Sequence, residues 1–437
     1  MKKISIILCI FALLFCMLSP VSGENEFLYG DMNADGKITT SDALVSLQKA
    51  VGKIELSSEQ ERVGDVDADG GVTTRDALLI LQRAVRLIVH FPIQAQGEIE
   101  VYKPKAGGVW YPRMYTLKDG TMLCGFDTNE DGGRCVIKLV RSSDGGLTWS
   151  SDAVTASLDS EYDCANAAFI EVDGLLLCGY RANVQTENGY YSSIRISQSA
   201  DGGVTWTPHS LVIEEYGTGG VYEPHFHFVD GKLAVFYAND SRNGAVHSAA
   251  QQNIEMRIFS EGTWKEKHIA CLGIEHRSRD GMPVVDRLSD GTYIMAIEAT
   301  NVSGYPFVIQ LFTSENGYEW EKKSNLYIPN KTGKKAGAPY VATLPDGRIA
   351  VSFQTDEDYE GTGDGYSCMK TLISKQKMTK SSDFGIDSFD AAIKPFATPE
   401  GHCSVWNGLA VDGGYLFQYT STNYPYDSIR LVKTYIG

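Results

Sequence analysis

The sequence predicts an all-β six-bladed β-propeller, preceded by a small all-α module that holds two calcium loops. Three observations carry this. A strand–turn–strand unit seen first at Tyr111–Asp127 (YPRMYTLKDGTMLCGFD) recurs five times, with turn glycines at Gly120, Gly174, Gly231, Gly291, Gly347 and Gly413. Spacings of 54, 57, 60, 56 and 66 residues fit a unit that cannot cover its own apolar faces and must stack on its neighbours; six such units close into a ring. A second repeat, of period 34, fills residues 28–92, and each copy opens on D-x-[ND]-x-D-G. Two near-identical loops, SSDGGLTW (Ser142–Trp149) and SADGGVTW (Ser199–Trp206), stand one repeat apart.

Residues 1–23 read as a secretory signal peptide: Lys2-Lys3, an apolar run from Ile4 to Leu18, and the small-residue site Val21-Ser22-Gly23. Nothing later is long and apolar enough to span a bilayer. The expected organisation is therefore signal peptide 1–23, calcium module 24–92 and propeller 93–437, in a secreted, extracellular protein.

In the calcium module, loop positions one, three, five and twelve are Asp31, Asn33, Asp35 and Asp42, then Asp65, Asp67, Asp69 and Asp76. Hard oxygens at that spacing, with Gly36 or Gly70 making the sharp turn and the carbonyls of Lys37 and Gly71 at position seven, suit two structural Ca2+ ions. Each loop ends in Asp, and a helix is expected only after it. This arrangement resembles a type I dockerin, the module that plugs bacterial enzymes into the cohesins of a scaffoldin. The resemblance covers residues 28–90. It implies a cohesin partner, association with a cellulosome, and cohesin contacts at Thr40 and Ser41 in one copy and Thr74 and Arg75 in the other.

A short linker (91–97) leads to Glu98–Tyr102, which reads as an isolated strand; the last blade lacks an outer strand, and this one is expected to supply it and close the ring. If each blade's first strand runs down the channel, the turn glycines mark the bottom face. Residues about seven before and after them then share the top rim. After the turn these are Asp127, Arg181, Ala238, Glu298, Gln354 and Thr420; before it, Arg113, Asn166, Glu223, Tyr340 and Trp406, with Pro283 or Val284 in blade four. The two near-identical loops match the Asp-box, whose Asp and Ser tie backbone amides while Trp wedges between strands; they fall on outer turns and have a structural role.

The chain carries a formal charge of −16, which argues against nucleic-acid binding. Seven cysteines remain past the signal; Cys124 and Cys178 occupy equivalent blade positions and read as small buried hydrophobes.

An exported enzyme carried on a scaffold points to an insoluble polysaccharide. Glycoside hydrolysis needs two facing carboxylic acids, and the rim register offers Glu223 and Glu298, with Asp127, Asp240 and Asp286 as competitors. No cofactor is expected for catalysis. YPR before LKDG, YEP before VDG, GMPVV (Gly281–Val285) before LSDGTYIMAIE, and the Asp-boxes resemble glycoside hydrolase family 93 over residues 108 to about 420. That resemblance implies a retaining exo-α-1,5-L-arabinanase that releases arabinobiose from non-reducing ends of arabinan or a related plant polysaccharide. It implies catalysis by Glu223 and Glu298, the favoured order being Glu298 as nucleophile and Glu223 as acid/base. Arg113, Asp127, Asn166, Arg181, Tyr340 and Trp406 are the expected substrate contacts. His225 and His227 alternate on an inner strand, and one of them is expected to face the channel. Two rivals stand beside this: a sialidase, which requires further rim arginines, and a non-catalytic glycan-binding propeller.

Overall fold

A computed structural model of the chain describes residues 29–67, 71–87, 97–187, 189–217, 219–240, 251–265 and 267–436. The expected signal peptide, Asp69, Gly70 and nearly all of the linker lie outside the described residues. The described residues fall into two compact units, and none of their helices is long and apolar enough to cross a membrane.

The first unit has three helices, α1 (Thr40–Ala50), α2 (Ser58–Gly64) and α3 (Thr74–Ala84). The repeat is visible in how α1 and α3 begin. Thr39 and Thr73 each accept from the backbone two residues on, while Asp42 and Asp76 reach back to the Thr backbone N–H at 2.8 Å, a capping box that uses Asp. Met32, Ala43, Val63, Val66 and Ile80 form the core beneath them. Helix α2 departs from the expectation of a helix only after each loop, because it precedes the second loop. Its own capping box joins Ser57 and Gln60, and S-x-x-Q is the sequence signal that announces it.

In the second unit the described strands make six antiparallel sheets. The innermost strands are Val109–Thr116, Asp163–Val172, Val221–Val229, Gly281–Arg287, Ala336–Thr343 and Ser404–Asp412, one per blade, and they line the axis. Blade six is completed by Ile99–Tyr102, which pairs with Ser428–Tyr435 through Ile99↔Leu431. The ring is thus closed by the strand expected for that purpose. Blade five has three strands.

Every inner strand carries a bulge at the same level. Pairing slips between Trp110/Arg113, Ala165/Ala168, Tyr222/His225, Gly281/Val284, Gly337/Tyr340 and Val405/Gly408. Within each slip one residue has positive φ: Tyr111 (52°), Asn166 (60°), Glu223 (58°), Met282 (51°), Ala338 (49°) and Trp406 (50°). None is β-branched, for which the left-handed region is least accessible. Proline follows in four blades, as Pro112, Pro224, Pro283 and Pro339, and is tolerated because an inner strand is an edge strand. These six residues define the mouth. Rim expectations at four positions are corrected by this register. Arg113 and Tyr340 lie two residues beyond their bulges, in the channel under the mouth, and blade four contributes Met282 rather than Pro283 or Val284. On the second strands, pairing makes Ser421, opposite Val405, the blade-six equivalent of Asp127 and Glu298 in place of Thr420.

The Asp-boxes are turn-builders. Asp144 accepts from the Leu147 and Thr148 amides at 3.1 and 2.9 Å, and Trp149 donates to the Gly146 carbonyl at 3.1 Å. Asp201, Thr205 and Trp206 repeat this, and in SENGYEW (Ser314–Trp320), a shortened copy of the same box, Asn316 takes the place of Asp. All seven described cysteines are unpaired, with Cys124 and Cys178 fully buried.

Adjacent blades interlock where an inner-strand aromatic packs on a glycine. A Cβ on Gly125 would lie 2.2 Å from the Phe169 ring, and one on Gly179 2.7 Å from Phe226. Gly125→Ala and Gly179→Ala should each destabilise the propeller by about 1–3 kcal/mol through overpacking, read as a lower midpoint in thermal unfolding.

Candidate active site at the propeller mouth

At four of the six bulges a backbone amide is turned toward the seam between blades, and the preceding blade answers with a side chain. Asp127 accepts from Asn166 N at 3.0 and 3.1 Å, Glu298 from Ala338 N at 2.9 Å, and Gln354 from Trp406 N at 2.7 Å. At the seam between blades three and four the rim position is Ala238, which has nothing to offer. Glu223 spans that seam instead, accepting from Met282 N at 2.8 Å.

This exception brings two carboxylates to one peptide unit. Glu298 is paired with Gly281, and a Cβ on Gly281 would lie 3.1 Å from Glu298 Oε1. Glu223 holds the amide of the very next residue. On standard backbone dimensions the carboxylates are therefore less than about 10 Å apart. Glycines at 281 and 337 leave room for Glu298, since a Cβ on Gly337 would stand 2.8 Å from its other oxygen.

The two acids have different surroundings. Glu298 is 8 % exposed and ion-paired with Arg279 at 3.1 Å. Glu223 has its proton affinity raised, first by burial and then by the charge of Glu298, with the Arg279 charge opposing. Asp127, in the blade across the ring from Glu298, is pushed up to about 7 by burial against the opposing Asn166 amide and Arg181 and Arg113 charges. Of the other competing acids, Asp240 lies just past blade three's second strand and holds the Gly220 amide, and Asp286 lies in the channel, bonded to the Arg287 and Thr343 amides.

At the mouth itself, Tyr111, Met282 and Ala338 pack together with Trp110 and Trp406 as an apolar floor. Below it lies a channel cavity of about 460 Å³, lined among others by Arg113, His225, His227, Asp286 and Tyr340. Arg113 sits there between the rings of Tyr111 (3.8 Å) and Tyr340 (5.4 Å) and donates to the Pro112 carbonyl at 2.7 Å. Both histidines line the cavity. Burial depresses His225 to about 3 and His227 to about 4, and His225 bonds the Val285 carbonyl.

Of the residues expected from the sequence, the structure gathers Glu223 and Glu298. It puts Asn166 and Trp406 in the ring of bulges, with Arg181 beside Tyr222 at 5.5 Å and Asp127 on the blade one–two seam. Arg113 and Tyr340 are assigned to the channel beneath. Sequence reasoning missed Arg279, which stands two residues ahead of the quoted GMPVV, and Tyr222, next to Glu223.

Residues 29–84 match the family described as Dockerin type I domain. No curated protein sequence matches the chain. Among solved structures, an α-L-arabinofuranosidase of Fusarium graminearum in complex with an iminosugar inhibitor is similar at a TM-score of 0.59 and 18% identity, covering 78% of this chain and 98% of that one. An α-L-arabinanase of Penicillium chrysogenum complexed with arabinobiose is similar at 0.58 and 17%, with the same coverage. A sialidase of Streptococcus pneumoniae follows at 0.52 and 12%, covering 77% and 70%. These likenesses show the fold.

Replacing Glu298 by Gln removes the negative charge beside Glu223. The Glu223 carboxyl should then titrate at lower pH than in the unaltered protein, yet stay above an ordinary glutamate because its burial persists; carboxyl-resolved NMR titration of the two proteins measures this.

Proposed function

We propose that the propeller is a retaining glycoside hydrolase that acts on α-1,5-L-arabinan from the non-reducing end and releases arabinobiose. The observation that carries the reading is the pair of carboxylates on the Gly281–Met282 unit, one ion-paired and the other held toward its protonated form. Glu223, as the acid, protonates the departing glycosidic oxygen while Glu298 attacks the anomeric carbon, so that the carbon–oxygen bond to the leaving sugar breaks as the glycosyl–Glu298 bond forms. Glu223 then takes a proton from water, which displaces Glu298 and frees the sugar. The substrate class rests on likeness in fold to the arabinofuranosidase and arabinanase. Asp127, Asn166, Arg181 and Trp406 are the sugar contacts this reading uses at the mouth; Arg113 and Tyr340 support the floor.

In the helical unit, Asp31, Asn33, Asp35, Asp42 and the Lys37 carbonyl would hold one Ca2+, and Asp65, Asp67, Asp69, Asp76 and the Gly71 carbonyl a second. The donor set of the second loop fits: Asp65, Asp67 and Asp76 bring carboxylate oxygens within 4.8 Å of one another, and Asp67 and Asp76 are buried, an arrangement that a divalent cation relieves. Bound there, Ca2+ would tie each loop to the first turn of the helix that follows through Asp42 and Asp76. Arg75, one of the cohesin-facing candidates, also pairs with Asp67 at 2.8 Å. Thr40, Ser41 and Thr74 are exposed. Beside them Leu44 and Leu47 on α1 and Val51 at its C-cap recur as Leu78 and Leu81 on α3 and Val85 at its C-cap, all exposed, an apolar stripe suited to a cohesin. The enzyme is thus secreted and carried on a scaffoldin.

Incubation with debranched linear arabinan should yield one disaccharide of retained anomeric configuration, followed by chromatography and early-time NMR; intact polymer refutes the reading. Glu223→Gln should lower kcat about 10²–10⁴-fold. Chelation of calcium should remove helical circular dichroism and cohesin binding, leaving the propeller's hydrolysis in place.

A further inference from the structure

Blade two is built longer than its neighbours. Its strands Leu175–Thr186, Gly189–Ser199 and Thr207–Gly217 have 12, 11 and 11 residues, whereas the second and third strands of blade one have 7 and those of blade three 8. The surplus lies above the mouth. The bottom turn at Gly174 and the Asp-box from Ser199 fix the lower end, and the rim residue Arg181 pairs with Ala165. Beyond Arg181, Ala182–Thr186 pair with Gly189–Ser193, and that strand pairs in turn with the stretch ending at Gly217. Five residues past the rim rise about 17 Å at the strand spacing.

Alternation gives this projection two faces. Arg181, Asn183, Gln185, Tyr190 and Glu215 share one of them. That face is turned to the strand bearing Glu223. Ser192, on the same face, accepts from Val221 N at 3.0 Å; the Arg181 guanidinium overlies the Tyr222 ring; Asn183 donates to the Tyr190 hydroxyl at 2.6 Å. Guanidinium, carboxamide and phenol groups on a rigid pleat are what bind hydroxyl-rich neutral sugars, rings for stacking and polar ends for orientation.

The order of blades decides which sugar. Glu298 is on blade four, Glu223 on blade three, and the projection on blade two. A leaving oxygen protonated by Glu223 therefore departs away from Glu298 and toward blade two. We infer that the blade-two projection is a rail for the leaving-group portion of a neutral pentose polymer, with Tyr222 and Tyr190 as successive stacking surfaces and Gln185 as the distal polar contact. This rests on the hydrolase reading above.

The test compares two substrates of the full-length protein and its Tyr190→Ala and Gln185→Ala variants: linear arabinan, and an aryl glycoside of the same disaccharide, whose single-ring leaving group ends short of Tyr190. The ratio of kcat/KM on arabinan to that on the aryl glycoside should fall up to about tenfold for Tyr190→Ala, the scale of one aromatic contact, and less for Gln185→Ala, with the change in KM for the polymer. An unchanged ratio in both variants, or parallel losses on both substrates, overturns the rail while leaving the hydrolase intact. If the unaltered enzyme cleaves neither substrate, the hydrolase reading fails and the rail falls with it.

Discussion

The hydrogen bond between a bulged inner strand and the side chain of the blade before it is what the upper half of the propeller depends on. A residue held at positive φ costs on the order of 1–3 kcal/mol, and the ring holds one in every blade. The bulge turns an amide out of its own ladder and into the seam, where an unmet donor would add to that cost. Asp127, Glu298 and Gln354 meet it from the second strand. The clasp thus aligns adjacent blades.

The proposed chemistry grows out of one irregularity in that pattern. Because Ala238 cannot clasp the next blade, the acceptor comes from the bulge residue Glu223 itself. A carboxylate that would otherwise stand at the end of its own strand is thereby drawn across a seam, next to the glutamate that clasps the following one. Two acids within one peptide unit cannot both be freely ionised in a buried place. Arg279 contacts Glu298 directly, while burial and the Glu298 charge raise the proton affinity of Glu223. The proposed division of roles rests on that difference.

Much of this was legible in the chain. Six Asp-Gly or Gly-bearing turns at near-constant spacing gave the blade count, and the isolated strand at Glu98–Tyr102 announced how the ring closes. Counting from the turn glycine located Glu298 because the second strands of the first five blades run the same distance from turn to rim; in blade six the count falls one residue short. Counting backwards was less secure, since bulges insert a residue and the distance from turn to mouth varies between inner strands. Arg113 and Tyr340 were displaced into the channel for that reason. A proline after the bulge, as in Tyr111-Pro112 and Glu223-Pro224, is the local mark that would have corrected the register. Arg279 could not be read in this way, because it precedes its strand and meets Glu298 only through folding. Helix α2 had its capping box in plain sight, but it is too short to show an apolar period.

The closing strand has a temporal meaning. Ile99–Tyr102 is synthesised before any blade exists, and its partner Ser428–Tyr435 only after the other five blades. The ring therefore cannot be sealed until blade six has been made, and a chain that stops short of it carries an unmatched blade edge, a surface prone to intermolecular pairing. Closure joins segments more than three hundred residues apart, an entropically slow event, and loss of either strand reopens the same blade.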